Sequence, residues 1–200
     1  MLIYKELEQG TEEWFEVRKL KGTASHATAI RARGKGLQTY ARDLVYEYVS
    51  NKKKIHYTNE HTERGNELEP QARSVYEMVT GHEVEQVGFI QHNEFIGCSP
   101  DGLIGEDGDL EIKCPSDEIY YDYLITEDFK APSDYYNQAQ MRLLIEERKW
   151  CDLFFYNPNF KKGFIKIRIE PDEVAFKELQ EGFTMLEQEI KKLLEIYNNK

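Results

Sequence analysis

The chain has 200 residues, 40% of them hydrophobic and 32% charged, and a formal net charge of −11. That length suits one domain with a real core, spanning residues 1–200, and no apolar run reaches the length of about 20 residues that a membrane span needs. Cys98, Cys114 and Cys151 form no CxxC pair and the opening residues carry no signal-type apolar segment, which points to a reducing cytoplasm and away from a zinc or iron–sulfur site.

The acidic balance argues on average against a nucleic-acid partner, but the charge is unevenly spread. Residues 17–42 contain no Asp or Glu, yet hold Arg18, Lys19, Lys21, Arg31, Arg33, Lys35 and Arg42. A basic island on an acidic protein focuses an anion locally while the remaining surface repels it. It is also compatible with a plain solvated face.

In chain order, Thr11 is placed to cap a first helix, with Glu12 and Glu13 in its opening turn and Trp14, Val17 and Leu20 as its apolar stripe. Gly22 is expected to stop it. Arg18 lies at the edge of the stripe, where packing can hold a guanidinium ready for a phosphate. Thr23 and Ser25 open a second short helix through Ile30, as N-caps, as part of an anion site, or as both. Gly34, Lys35 and Gly36 read as a flexible basic loop. Residues 38–50 read as a helix burying Tyr40, Leu44, Val45 and Tyr48, and residues 51–54 as a solvated loop. The clearest helix of the first half is residues 62–80, with Leu68, Ala72, Val75, Tyr76 and Val79 inward and Gly81 as its stop. Pro70 belongs in a first turn or at a kink. Glu69, next to Leu68, points partly inward and wants a cation.

Residues 83–91 and 94–99 read as strands joined at His92 and Asn93. Residues 109–113 follow as a half-buried strand, because Leu110 and Ile112 alternate with Glu111 and Lys113. Three successive strands suggest an antiparallel meander. Glu111 and Lys113 share a strand face, and a turn at residues 105–108 can fold Asp101 back beside them. Two carboxylates and an ammonium at a sheet end suit a hard cation such as Mg²⁺, which can activate water against a phosphodiester. A simple ion pair on one strand face fits the same spacing. Pro115 ends the strand, and Tyr120, Tyr121 and Tyr123 belong to a short helix with a core role.

Pro132 starts a helix on which Tyr135, Gln138 and Arg142 form one polar face, fit for DNA, for an attacking water, or only for hydration. Residues 150–156 and 163–169 form a hairpin, with Lys161, Lys162, Lys166 and Arg168 as a second basic patch. Pro171 opens a last helix whose seam is Leu179, Phe183, Leu186, Ile190 and Leu193.

Several of these segments, in this order, resemble the lambda exonuclease and YqaJ-like viral recombinase family of the PD-(D/E)xK nuclease superfamily. They are Gly10-Thr11-Glu12-Glu13-Trp14 with Arg18 and Thr23-Ala24-Ser25; Gly65-Asn66-Glu67-Leu68-Glu69-Pro70-Gln71-Ala72-Arg73; Cys98-Ser99-Pro100-Asp101-Gly102; Leu110-Glu111-Ile112-Lys113-Cys114-Pro115; and Tyr135-Tyr136-Asn137-Gln138-Ala139-Gln140. The likeness spans residues 10–156 and leaves the last helix uncovered. It implies an α/β fold with a mixed central sheet flanked by helices, a restriction-endonuclease-like core. It implies Asp101, Glu111 and the Ile112 carbonyl as ligands of Mg²⁺, which Mn²⁺ could replace, with Glu69 completing the metal environment. Lys113 and Gln138 would position water. Arg18, Thr23 and Ser25 would hold a terminal 5′-phosphate, and Arg31, Arg33, Lys35, Tyr135 and Arg142 would contact DNA. The implied activity is 5′→3′ digestion of one strand of linear duplex DNA, leaving a 3′ overhang for a single-strand annealing protein. A ring-shaped trimer in the cytoplasm of a bacterial host, phage or prophage encoded, is implied with it. A restriction-like or structure-specific endonuclease, or a non-catalytic DNA-end-binding module, would use the same residues.

Overall fold

The computed structural model describes residues 1–52 and 60–200. The fold is α/β, with two small sheets and seven α-helices among the described residues. One sheet has the order β1 (Leu2–Tyr4), β2 (Phe89–Gln91), β3 (Gly97–Cys98), all antiparallel. The other has the order β4 (Gly102–Ile104), β5 (Gly108–Lys113), β6 (Trp150–Tyr156), β7 (Phe164–Ile169). It is mixed: β5 pairs antiparallel with β4 but parallel with β6, and β6 pairs antiparallel with β7.

The expected meander across residues 83–113 is therefore not formed. Its first two strands belong to the small sheet, and β5 belongs to the mixed one. A parallel neighbour cannot be reached by a tight turn, so the chain leaves β5 at Pro115 and crosses over through α5 (Asp117–Ile125) and α6 (Ser133–Glu146) before entering β6. The hairpin of β6 and β7 is as expected.

Side-chain alternation on the mixed sheet fixes two layers. Leu110, Ile112, Phe154 and Tyr156 pack with Ala72 and Tyr76 of α4 (Glu60–Thr80) on one face. Cys151, Leu153 and Phe155 pack with Ala139 and Leu143 of α6 and with Tyr120 on the other. A third core joins α2 (Ala27–Ala32), α3 (Lys35–Ser50) and α7 (Glu173–Asn198) to the small sheet, through Ile30, Leu37, Leu44, Ile90, Ile96, Leu179, Phe183, Leu186 and Ile190. Gly182 lets α7 cross α2 closely, since a Cβ there would lie 2.3 Å from the Ile30 carbonyl oxygen. No helix is long and apolar enough to cross a membrane among the described residues.

Several local readings change. Helix α1 (Glu12–Arg18) is capped by the Thr11 side chain as expected, but it ends at Arg18, and Leu20 makes the reversal at φ 58°. Gly22 is instead a packing glycine, bridged to Ile96 beside Leu186. Lys35 and Gly36 lie in the first turn of α3, because Gly34 serves as its N-cap. Tyr48, Val79 and Tyr121 are exposed. Pro70 sits inside α4, well past its first turn, and Gly81 ends that helix at φ +72°. Lys53 and Lys54 of the predicted loop lie outside the described residues.

Candidate nuclease site

The site forms where β4 and β5 turn back on each other. Pairing of Gly102 with Leu110 folds Asp101 against β5, and its Oδ2 accepts from the Ile112 N–H at 2.7 Å. Asp101 Oδ1 has no hydrogen-bond partner among the described residues. Asp109, Glu111 and Lys113 point to the α6 face, since Leu110 and Ile112 take the α4 face. Lys113 Nζ lies 2.5 Å from Glu111 Oε1. Glu111 is buried, and Gln138 Nε2 of α6 donates to the same Oε1 at 2.6 Å. Four residues on, one helical turn further along that face, Arg142 donates to Glu111 Oε2, to Asp109 Oδ1 and, at 2.7 Å, to the Leu110 carbonyl.

Arg142 is thus fully buried and tied to β5, not placed on a hydrated helix face. Its expected contact with DNA is corrected accordingly. Tyr135 is half-buried, its ring 5.0 Å from Lys113 Nζ and packed near Phe155. Glu69 of α4 is half-buried and paired with Arg73 at 2.5 Å. Burial and the nearby Asp101 charge raise its pKa, against the pull of Arg73 and Lys113. Arg73 also donates to the Asp101 carbonyl at 3.3 Å.

A divalent cation suits this donor set in kind. Glu69, Asp101, Glu111 and the Ile112 carbonyl are all hard oxygen donors, and the repulsion between Glu69 and Asp101 is what such a charge relieves. In the geometry described, Glu69 turns toward Arg73 and Glu111 toward α6 and Lys113. No three His, Cys, Asp or Glu side chains among the described residues are gathered into a ready metal cage.

Next to this cluster, Arg18 is held as the sequence suggests. Its guanidinium lies 3.9 Å from the centre of the Trp14 ring and donates to Ser99 Oγ at 2.7 Å. Burial lowers its pKa, opposed by Tyr40 and Cys98. Ser99 was not singled out in the sequence. It accepts from both Arg18 and, at 3.1 Å, Trp14 Nε1, so its own proton is left to donate. Its position two residues before Asp101 was the available signal. Thr23 is buried, with its N–H donating to the Tyr40 hydroxyl at 3.0 Å and its Oγ1 3.2 Å from Ser25 Oγ. Arg18, Lys21, Thr23, Ser25 and His26 line a cavity of about 540 Å³ together with Asp43 and Glu47.

The remaining basic residues divide. Arg31 pairs with Glu178 at 2.7 Å and donates to Asn137, and Arg33 pairs with Glu181 at 3.0 Å and donates to the Glu178 carbonyl. Both tie α2 to α7. Lys35 is exposed.

Residues 13–149 match the family described as the YqaJ-like viral recombinase domain. The chain belongs to that family. An alkaline exonuclease from Laribacter hongkongensis, LHK-Exo, is similar over 94% of this chain and 97% of its own, at 32% identity and a TM-score of 0.86. The structure of that enzyme in complex with dAMP matches equally well. A phage-related exonuclease from Haemophilus somnus 129PT has the same fold, with a TM-score of 0.69 and 14% identity over 91% of this chain and 98% of that one. Among curated proteins, none matches the sequence significantly.

Proposed function

We propose that this chain, as one nuclease domain over residues 1–200, is a Mg²⁺-dependent 5′→3′ exonuclease. It degrades one strand of linear double-stranded DNA and leaves a 3′ single-stranded overhang. The observation that carries this reading is the meeting of Asp101, Glu111, Lys113 and Gln138 at β5, with Asp101 two residues along the chain from Ser99, the serine that accepts from Arg18. Similarity to an enzyme named alkaline exonuclease supports it.

Asp101, Glu111 and the Ile112 carbonyl would hold Mg²⁺ or Mn²⁺, with Glu69 completing the set. When bound, the ion supplies Lewis-acid activation of water and charge for the phosphodiester oxygens. Lys113 and Gln138 orient the attacking water, and the Lys113 ammonium offsets negative charge developing at phosphorus. Arg18, Thr23, Ser25 and Ser99 hold the terminal 5′-phosphate, which carries more charge than an internal diester. Lys35, Arg31, Arg33 and Tyr135 contact the duplex, the two arginines with the part of their charge that Glu178 and Glu181 leave free. The same reading includes a single-strand annealing partner in phage-type recombination, a ring-shaped trimer, and the cytoplasm of a bacterial host.

Digestion of linear duplexes with a 5′-phosphate or a 5′-hydroxyl tests this, with Mg²⁺ present or chelated. Expected are dependence on the ion, preference for the phosphorylated end, and loss of that preference in Arg18→Ala. Arg33→Ala should weaken both ends alike and change mainly the salt dependence. Cleavage of closed circular DNA, or a preference that survives Arg18→Ala, would overturn the exonuclease assignment.

A further inference from the structure

We propose that Arg142 is a positioning residue for Glu111: a buried guanidinium on α6, and not the strand alone, sets the orientation in which that carboxylate faces a divalent cation. The inference rests on the nuclease reading above.

Glu111 is held at both oxygens from a single helix. Gln138 takes Oε1 and Arg142 takes Oε2, and these two donors are four residues apart, on one face of α6. Lys113 shares Oε1 from the strand itself. With both oxygens engaged, rotation of the carboxylate plane breaks a charge-assisted bond whichever way it turns. The second Nη of Arg142 is anchored on Asp109 Oδ1 and the Leu110 carbonyl. The guanidinium therefore bridges the two acids that β5 presents at i and i+2, together with the carbonyl between them. Lysine has no such fork.

Stability alone does not account for this arrangement. An ion pair this deep is commonly replaceable by apolar side chains at no loss of stability. Nor is the cluster hydrogen-bonded to completion: among the described residues, Arg142 Nε, Asp109 Oδ2 and Glu146 Oε2 are buried without hydrogen-bond partners. Arg142 Nε lies 3.6 Å from Glu146 Oε1, a third acid on the same cation. Among the described residues only Arg142 reaches all three acids, with Lys113 on Glu111 and Arg148 3.9 Å from Glu146. The Arg142 fork spends one Nη on Glu111 and the other on Asp109 and the Leu110 carbonyl, which is the arrangement of an orienting contact. The carboxylate–histidine–metal pattern of ordinary metal sites uses the same logic, in which an outer partner fixes a ligand's orientation.

The test is calorimetric titration of the full-length protein with Mg²⁺ alone, for wild type, Glu111→Gln, Arg142→Lys and Asp109→Asn, with the thermal midpoint of each variant measured with and without the ion. Wild type is expected to bind and Glu111→Gln to lose binding. Arg142→Lys keeps the charge but not the fork, and its affinity should fall by about 10–100-fold, the usual scale for an outer-shell partner, with a matching loss of the Mg²⁺-induced rise in the midpoint. Asp109→Asn replaces the charge-assisted anchor of the second Nη by a neutral one and loosens the guanidinium that orients Glu111, so affinity should fall by about tenfold. This variant carries the test if Arg142→Lys does not fold. Wild-type affinity in a folded Arg142→Lys or Asp109→Asn, with only the midpoint lowered, would overturn the positioning role and leave the nuclease reading standing. Equal binding by wild type and Glu111→Gln, or none by either, would overturn the metal site itself and this inference with it.

Discussion

Two buried carboxylate clusters sit on adjacent strands of the mixed sheet, on opposite faces. On the α4 face, Asp152 of β6 accepts from the Tyr76 hydroxyl at 2.8 Å, from Arg168 at 2.8 and 2.9 Å, and from Lys166 at 3.3 Å. Its cations reach solvent at their far ends, and Arg168 also lies over the Trp150 ring at 3.8 Å. Burial pushes the Asp152 pKa up, but Arg168, Tyr76 and Lys166 override it and the net shift is downward. On the α6 face, Asp109, Glu111 and Glu146 all meet the fully buried Arg142, with Lys113 also on Glu111 at 2.5 Å and Arg148 3.9 Å from Glu146. There burial dominates, and the pKa values of Asp109 and Glu146 rise. One cluster is complete and holds β6 to β7 and α4. The other keeps buried polar atoms without hydrogen-bond partners among the described residues, and it is the one that adjoins Asp101. A fully satisfied polar cluster supports the fold, while a buried one with unpaired atoms and shifted pKa values marks a candidate functional site.

The largest contrast should be in activity. Asp101→Ala and Glu111→Ala should each cut the single-turnover digestion rate by about 10³-fold or more, since each would remove a proposed charged ligand of the ion, on the scale of several kcal/mol of transition-state stabilisation. Lys113→Ala should cost about 10²-fold, the scale of one preorganised contact. Asp152→Asn should leave the rate at the wild-type level. Wild-type turnover in Glu111→Ala at saturating Mg²⁺ would erase the distinction between the clusters.

The next contrast is in stability, read from urea unfolding. Arg142→Met strands Asp109 and Glu111 in an apolar layer and should cost about 3–5 kcal/mol. Asp152→Ala frees cations that can turn to water, so it should cost about 1.5–3 kcal/mol, the scale of lost hydrogen bonds to a charged group. A larger loss for Asp152→Ala than for Arg142→Met would reverse the ranking.

The smallest contrast is in the pH dependence of the thermal midpoint, and it has opposite signs. Asp152 has a folded pKa below its ordinary 3.8. Its contribution is complete above that ordinary value and is lost as pH falls through the lower, folded one. Glu146 is raised from 4.5 to about 8, by burial first and then by Asp109. The folded state holds that proton across the window, so its contribution to stability declines as pH rises from about 4.5 to about 8. Asp152→Asn should flatten the acid limb of the curve and Glu146→Gln the limb toward pH 8. A Glu146→Gln curve parallel to wild type over that range would contradict the dominance of burial at Glu146.

The two clusters were not equally visible in the chain. The strand of residues 109–113 was legible because one face alternates cleanly with the other, and the turn after Ile104 was legible from its glycines, so the return of Asp101 to β5 followed. Trp14 and Arg18 were legible because a helix stripe sets its own edge. Arg142 was misplaced: spacing shows that Gln138 and Arg142 share a helix face, but not what that face meets. Burying an arginine requires partners, and two of them, Asp109 and Glu111, lie on β5, with α5 between that strand and α6 along the chain. Ser99 was passed over because a lone serine acquires its role only from the guanidinium that reaches it.

The sequence by itself determined which segments alternate, cap and turn, and hence the Asp101, Glu111 and Lys113 set, since those features depend on neighbours a few residues away. Only the tertiary structure decided that β5 lies parallel to β6, that α6 takes one face and α4 the other, and that one buried arginine serves three acids. These depend on pairings between residues far apart in the chain, where the desolvation of a charge is set by everything packed around it.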